Sequence, residues 1–233
     1  MSITYRKELF EFVNDLTAIS PSIAFEREGD RIIVRKSDAL KTMPYIISVP
    51  AEYFDIQTTV AFYKYDNFYR YMNTLKTPII EIDDDVMTLS RDDSKPISIK
   101  YKLSDEDGII NGPEEANNEI EWDVSFILTK EDLEEIVKVN GFVRGDKAEI
   151  SCIDDELTIR FYSGGNDNSF EKVFKVQRIS SNDDDFSFII KSNRFEVIPQ
   201  KRDYTVNVLA EKFINISLIH DDIDFDIYSG ECS

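Results

Sequence analysis

FILTKEDLEEIVKVNGF, residues 126–142, carries Leu133, Ile136 and Val137 at i, i+3 and i+4. That spacing sets apolar side chains on one face of a helix. Thr129 stands three residues before Asp132, the pattern of a capping box, in which hydroxyl and carboxylate satisfy backbone N–H groups left open at a helix start. The spacing predicts a helix over 129–140. About 124 positions earlier, Leu9, Phe12, Val13 and Leu16 show the same periodicity, and Thr4 is placed to open a helix over 4–17.

After each helix the apolar period falls to two. Ile23–Arg27, Arg31–Lys36, Tyr45–Val49 and Phe54–Tyr63 read as strands in the first half, and Lys147–Ile153, Glu156–Tyr162, Phe170–Ile179 and Phe186–Ile190 in the second. Turn residues divide them: Glu28-Gly29-Asp30, Asp154-Asp155, Ser163-Gly164-Gly165. Each half then offers a short helical segment rich in aromatics and bases, Lys64–Lys76 and Lys191–Arg202, and each closes with strands about a charged turn. Ile79–Ile82, Asp83-Asp84-Asp85 and Val86–Leu89 correspond to Tyr204–Leu209, Ala210-Glu211-Lys212 and Phe213–Ile219. The offset stays near 125 positions, so the chain is an internal repeat of one α+β unit. The expected division is a first domain over 1–104, an acidic connector over 105–119 and a second domain over 120–233.

With 233 residues, 42% of them hydrophobic, the chain can bury a sizeable core. No stretch approaches the roughly 18 apolar residues of a membrane span, and Met1–Phe10 lacks the apolar run of a signal peptide. A soluble protein with no membrane partner is expected. Cys152 and Cys232 are too few for a disulfide framework or a zinc site, and a single His220 disfavours histidine chemistry. The net charge of −19 argues against nucleic-acid binding if it is spread evenly. It is not spread evenly. The four expected helical segments (4–17, 64–76, 129–144, 191–202) hold 12 basic and 9 acidic residues, and the remainder holds 15 and 37. Good helix propensity of Lys and Arg explains this equally well, but the two short second segments alone carry seven bases against two acids.

A duplicated unit whose helices are less acidic than its β shell resembles the PCNA-like sliding clamps that tether DNA polymerases to their template. At residue level the chain looks most like the clamps of T-even-type bacteriophages, through FDIQTTVAFYKYDNFYRYMNTL (residues 54–75), residues 126–142, and the closing region from Phe188 to Tyr228. The resemblance implies the α+β clamp fold twice over, antiparallel sheets outside and helices lining a ring of six domains, hence a homotrimer. The implied function is non-enzymatic: a processivity factor around double-stranded DNA, serving a viral DNA polymerase and a clamp loader, with late transcription factors as further partners and the cytoplasm of an infected host cell as its location. No cofactor is implied. Sheet edges would pair across subunits through Ile97–Leu103 of one and Phe170–Ile179 of the next.

By the same resemblance, the lining candidates are Arg6, Lys7, Lys64, Arg70, Lys76, Lys138, Arg144, Lys191, Arg194, Lys201 and Arg202, contacting phosphates without reading bases. Glu8, Glu11, Asp15, Glu131, Asp132, Glu134 and Glu135 depart from that picture, because they make both first helices poor phosphate surfaces unless they face sideways or up. A pocket for hydrophobic partner tails would draw on Ile109, Ile110, Ile227 and Tyr228, with Ile227 equally suited to the core.

Other motifs are weaker. Asp83–Asp85, Asp183–Asp185 and Asp221-Asp222 could suggest hard-metal ligands but fall at turns, so no metal site is expected. His220 has no nucleophile elbow beside it, and Ser163-Gly164-Gly165 lacks the lysine of a phosphate loop. Asn215-Ile216-Ser217 matches a glycosylation acceptor inside an expected strand. Tyr63, Tyr65, Tyr69 and Tyr71 could stack on bases, but core packing is the expectation. The competing reading is an acidic β-rich structural or DNA-mimicking viral protein with the same duplication.

Overall fold

The computed structural model describes residues 2–3, 6–76, 78–91, 96–105, 109, 112, 120–164, 166–179, 185–210, 212–220 and 222–230. The chain divides into two compact units, Met1–Glu114 with Ile219–Phe225, and Glu115–Leu218 with Asp226–Ser233.

The first unit runs β1 (Ser2–Ile3), α1 (Lys7–Asp15), β2 (Ile23–Glu28), β3 (Arg31–Lys36), β4 (Tyr45–Pro50), β5 (Phe54–Asp55), β6 (Val60–Phe62), α2 (Tyr65–Leu75), β7 (Ile79–Asp83), β8 (Val86–Arg91) and β9 (Ile97–Lys102). The second repeats that order with β10 (Val124–Leu128), α3 (Lys130–Val143), β11 (Lys147–Ile153), β12 (Glu156–Ser163), β13 (Asn166–Lys175), β14 (Gln177–Arg178), β15 (Phe186–Lys191), α4 (Asn193–Glu196), β16 (Tyr204–Leu209), β17 (Phe213–His220) and β18 (Ile223–Gly230). Strand order repeats position for position: β5-β1-β7-β8-β9 matches β14-β10-β16-β17-β18, and β4-β3-β2-β6 matches β13-β12-β11-β15. The pairings are antiparallel, as in β11–β12 and β3–β4.

Alternation builds each core. In β4, Tyr45, Ile47 and Val49 are buried while the residues between them are half-exposed, and β11 buries Ala148, Ile150 and Cys152 in the same way. The first unit's core is aromatic. Phe68 of α2 lies 4.5 Å from Phe62 and 5.4 Å from Tyr65, and Phe25 stacks on Phe54 at 4.9 Å (ring centroids). Tight turns take left-handed residues where two-residue hairpins require them, with Asp154 (φ 48°) and Asp155 (φ 64°) between β11 and β12.

Several expectations are corrected. Helix α1 begins at Lys7, with Arg6 as an N-cap that makes no side-chain bond, and its last turn tightens to a 3₁₀ segment over Leu16–Ala18. Thr4, expected to open it, lies outside the described residues. The strand expected over Phe54–Tyr63 splits into β5 and β6 around the bend at Gln57-Thr58. Phe170–Ile179 belongs to two strands, because the β13 ladder on β12 ends at Lys175. The segment Lys191–Arg202 is a single helical turn: Lys191 ends β15, and Lys201 and Arg202 lie in a turn. Helix α3, by contrast, starts where its cap predicts, since the Thr129 hydroxyl accepts the Asp132 N–H at 3.1 Å and donates to its carboxylate at 2.7 Å.

Six strands end a sheet, β5 and β9, β14 and β6, and β13 and β15, and of these only β9 and β13 have repeat counterparts that are not terminal. β9 ends one sheet and β13 ends another, so each leaves one row of backbone groups without a strand partner among the described residues. Their repeat counterparts are covered: β18, whose Ile223–Phe225 count with the first unit, is the neighbour of β4, the counterpart of β13. There Phe225 packs on Tyr45, with ring centroids 6.4 Å apart.

Candidate nucleic-acid interface

Helix α2 presents the clearest cationic face. Tyr65, Phe68, Met72 and Leu75 form its buried stripe, which leaves Lys64, Arg70, Tyr71 and Lys76 exposed. Its one acid, Asp66, sits 3.5 Å from Arg70 in an i, i+4 pair, so no acid on this face is left uncompensated. The tyrosine expectation divides. Tyr65 is buried and Tyr69 half-buried, whereas Tyr63 and Tyr71 are 64% and 41% exposed, being off the helical stripe.

The first helices are more acidic, and α3 shows how part of that charge is removed. Lys172 of β13 reaches Asp132 at 2.8 Å and Glu135 at 2.5 Å. Those hydrogen bonds raise the Lys172 pKa against desolvation. Burial pushes the Asp132 carboxyl up, but hydrogen bonds from Lys172 and Thr129 outweigh it and hold the pKa below its usual value. Two of the seven departing acids therefore face sideways into the sheet edge. Glu131 pairs with Lys130 at 3.5 Å, and Glu134, Lys138, Phe142 and Arg144 are each exposed. On α1, Lys7 and Glu8 are both exposed, while Arg6 lies over the Tyr53 ring at 3.8 Å.

Other expected lining residues are displaced. Arg194 is 8% exposed, because one helical turn has no separate solvent face and Phe195 and Ile198 anchor it in the core. Lys191 lies on the face of β15 shared with Ser187, opposite the buried Phe186, Phe188 and Ile190. That face looks away from α3, which packs on β12 and β13. The ladder sets Lys191 directly across from Lys147, a base that sequence reading passes over. Lys201 is exposed and Arg202 half-buried.

The partner-pocket candidates mostly fall inside. Ile109 is 6% exposed against Ala24 and Ala61, Ile227 is 1% exposed, and Tyr228 is half-buried beside Phe213, its hydroxyl pushed up to about 12 by burial and Asp226. Ile110 lies outside the described residues. Sequence reading misses Leu40, which is 73% exposed in the loop after β3. Asp38 holds that loop, accepting the N–H groups of Thr42 and Met43 and the Thr42 hydroxyl at 2.6–2.9 Å. Gly112 seats on the same strand end. Its N–H donates to Arg35, and any Cβ there would fall 2.6 Å from the Lys36 carbonyl oxygen. Among the described residues no group of three acidic, His or Cys side chains could hold a metal.

Two tandem α+β units of one topology, with sheets backed by helices, define the clamp fold. No protein-family model and no curated protein matches the sequence, but solved structures match the fold. Proliferating cellular nuclear antigen (PCNA) of Entamoeba histolytica superposes with a TM-score of 0.77 over 97% of this chain and 95% of its own, at 12% identity. PCNA of Thermococcus kodakaraensis gives 0.78 over 100% and 99%, and a PCNA2–PCNA3 complex of Sulfolobus tokodaii 0.78 over 99% and 99%, both again at 12% identity. The chain thus has the PCNA-like fold over its full length.

Proposed function

We propose that this chain is the subunit of a ring-shaped sliding clamp, a homotrimer of six clamp domains that encircles duplex DNA and tethers a replicative DNA polymerase. The observation that carries the proposal is the pair of terminal strands, β9 and β13, whose repeat counterparts lie inside a sheet. An exposed strand edge is a template for pairing with another chain. Here the open β9 and β13 are the repeat counterparts of β18 and β4, which are neighbours within the chain. Pairing β9 of one copy with β13 of the next is a heterologous contact, and such contacts form a ring when the rotation closes. With two domains in each chain, three copies complete six.

In such a ring the exposed bases of α2, with Lys7 and Lys138, meet phosphates without contacting base edges, so they hold the duplex while allowing it to slide. The acidic remainder repels DNA from outside. Leu40, the most exposed large apolar side chain of the first unit among the described residues and carried on the loop that Asp38 holds, is offered to a partner's hydrophobic tail. The phage-type resemblance supports a viral polymerase, a loader and late transcription factors as partners, and an infected host cell as the setting.

Light scattering at micromolar concentration should return three times the 27.0 kDa chain mass, falling on dilution as mass action requires. A monomer at the highest attainable concentration would overturn the ring.

A further inference from the structure

The two open edges carry enough detail to fix how they meet, if the ring proposed above exists. The Leu103 N–H donates to Asp85 and the Val176 N–H to Asp155. Hydrogen-bonded pairs alternate along an antiparallel ladder. In β9, therefore, Ile97, Ile99 and Tyr101 spend their backbone groups on β8, and Ser98, Lys100 and Lys102 point theirs outward. By the same alternation β13 turns Phe170, Lys172 and Phe174 toward β12, and Ser169, Glu171 and Val173 outward.

Side chains follow the same parity. Tyr101 packs on Phe62 and Phe68 at 5.7 and 5.8 Å, and Phe170 stacks on Phe161 at 6.0 Å, so the residues bonded to the home sheet face the core. Those with open backbone groups face away from it. Only Ser98, Lys100 and Lys102 can therefore form bonded pairs with Ser169, Glu171 and Val173 or Lys175. A one-residue slip would put core-facing side chains on the outer face. The sheets on both sides are antiparallel, and an antiparallel junction extends them.

We propose that β9 and β13 of neighbouring copies join antiparallel with Lys100 opposite Glu171, Ser98 opposite Val173 and Lys102 opposite Ser169. This register brings opposite charges together: Lys100 has no partner among the described residues, and Glu171 is held only by Arg160 at 3.5 Å. On the core side it sets Tyr101 against Phe170, Ile99 against Lys172 and Ile97 against Phe174. Phe170 stands 125 positions after Tyr45, the residue that meets Phe225 where β18 neighbours β4. It also covers Ile97 and Val173, which are 40% and 55% exposed in the single chain. Shifting by two residues one way pairs Lys102, already 3.5 Å from Asp85, with Glu171 in place of the Lys100 left unpartnered among the described residues, and moves Tyr101 from Phe170 to Lys172. Shifting by four in that direction opposes Lys100 to Lys175.

Charge exchange at the junction tests this in the full chain by sedimentation of the assembled protein. Lys100→Glu and Glu171→Lys should each raise the subunit dissociation constant about tenfold at low salt, since each places like charges opposite one another. The double variant should recover most of that loss. Carbodiimide coupling of the unaltered protein should join Lys100 of one copy to Glu171 of another. Recovery with Lys102→Glu instead, or coupling through Lys102, would overturn the register while leaving the trimer standing. A trimer indifferent to both exchanges would overturn it too, and an unaltered chain that is monomeric would remove the ring and the register together.

Discussion

Phe68→Ala should lower the unfolding free energy of the first unit by about 3–5 kcal/mol, the range for removing a fully buried ring and leaving a cavity. Phe68 is 0% exposed and touches Phe10, Phe62, Tyr65 and Tyr101, with ring centroids 4.5–6.1 Å away. Its neighbours outside α2 come from α1, β6 and β9, so they cannot close the space without moving three elements. The loss is a large share of the roughly 5–15 kcal/mol that holds a typical domain together. Phe142→Ala supplies the comparison: Phe142 is also helical but 76% exposed, and its removal should change stability by no more than about 0.5 kcal/mol. Denaturant titration of both variants measures the difference. Equal costs would mean that the aromatic cluster is not the first unit's core.

The second large effect is expected on α2. Lys64→Glu, Arg70→Glu and Lys76→Glu together should cut the amount of duplex DNA held by the trimer at least tenfold. The basis is location, since at −19 per chain the whole molecule repels DNA, and a duplex feels the local bases only within a screening length of about 8 Å. Reversing Lys147, Lys191 and Lys212 alters net charge equally. The first two lie on the sheet face away from α3, and these changes should do much less. The gap between the two sets should narrow as salt rises. Equal losses would mean that net charge rather than the α2 face governs retention.

The parts of this fold legible in the sequence are those set by neighbours along the chain. The boundaries of β3, β11 and β16 match the period-two runs, and α3 begins at its Thr129 cap, because alternation and capping are local. What is not legible depends on partners far away. Phe195 and Ile198 at i, i+3 imitate a helical stripe, yet only one turn forms and Arg194 is drawn inside with them. The acids of α3 look unsuited to DNA in the sequence, where nothing tells that Lys172, some forty positions later, holds two of them. Edge status is the extreme case, because Ile97–Leu103 and Phe170–Ile179 are expected at the junction only through the family resemblance. Nothing in Ile97–Lys102 or Asn166–Lys175 states that a sheet ends there, since that depends on which strands lie beside them. Leu40 escapes notice for a similar reason: an isolated leucine among polar residues gains meaning only through the Asp38 bonds that fix its loop.

Encirclement is tested most directly by the order in which the ends of a linear duplex are closed. The protein is mixed with end-biotinylated duplex, streptavidin is added either before or after it, and the DNA-bound protein is counted after dilution. A ring enters over an open end and is trapped only when the ends are blocked afterwards, so retention should be high in that order and near background in the other. Equal retention in both orders would show binding along the side of the duplex and would contradict a closed clamp.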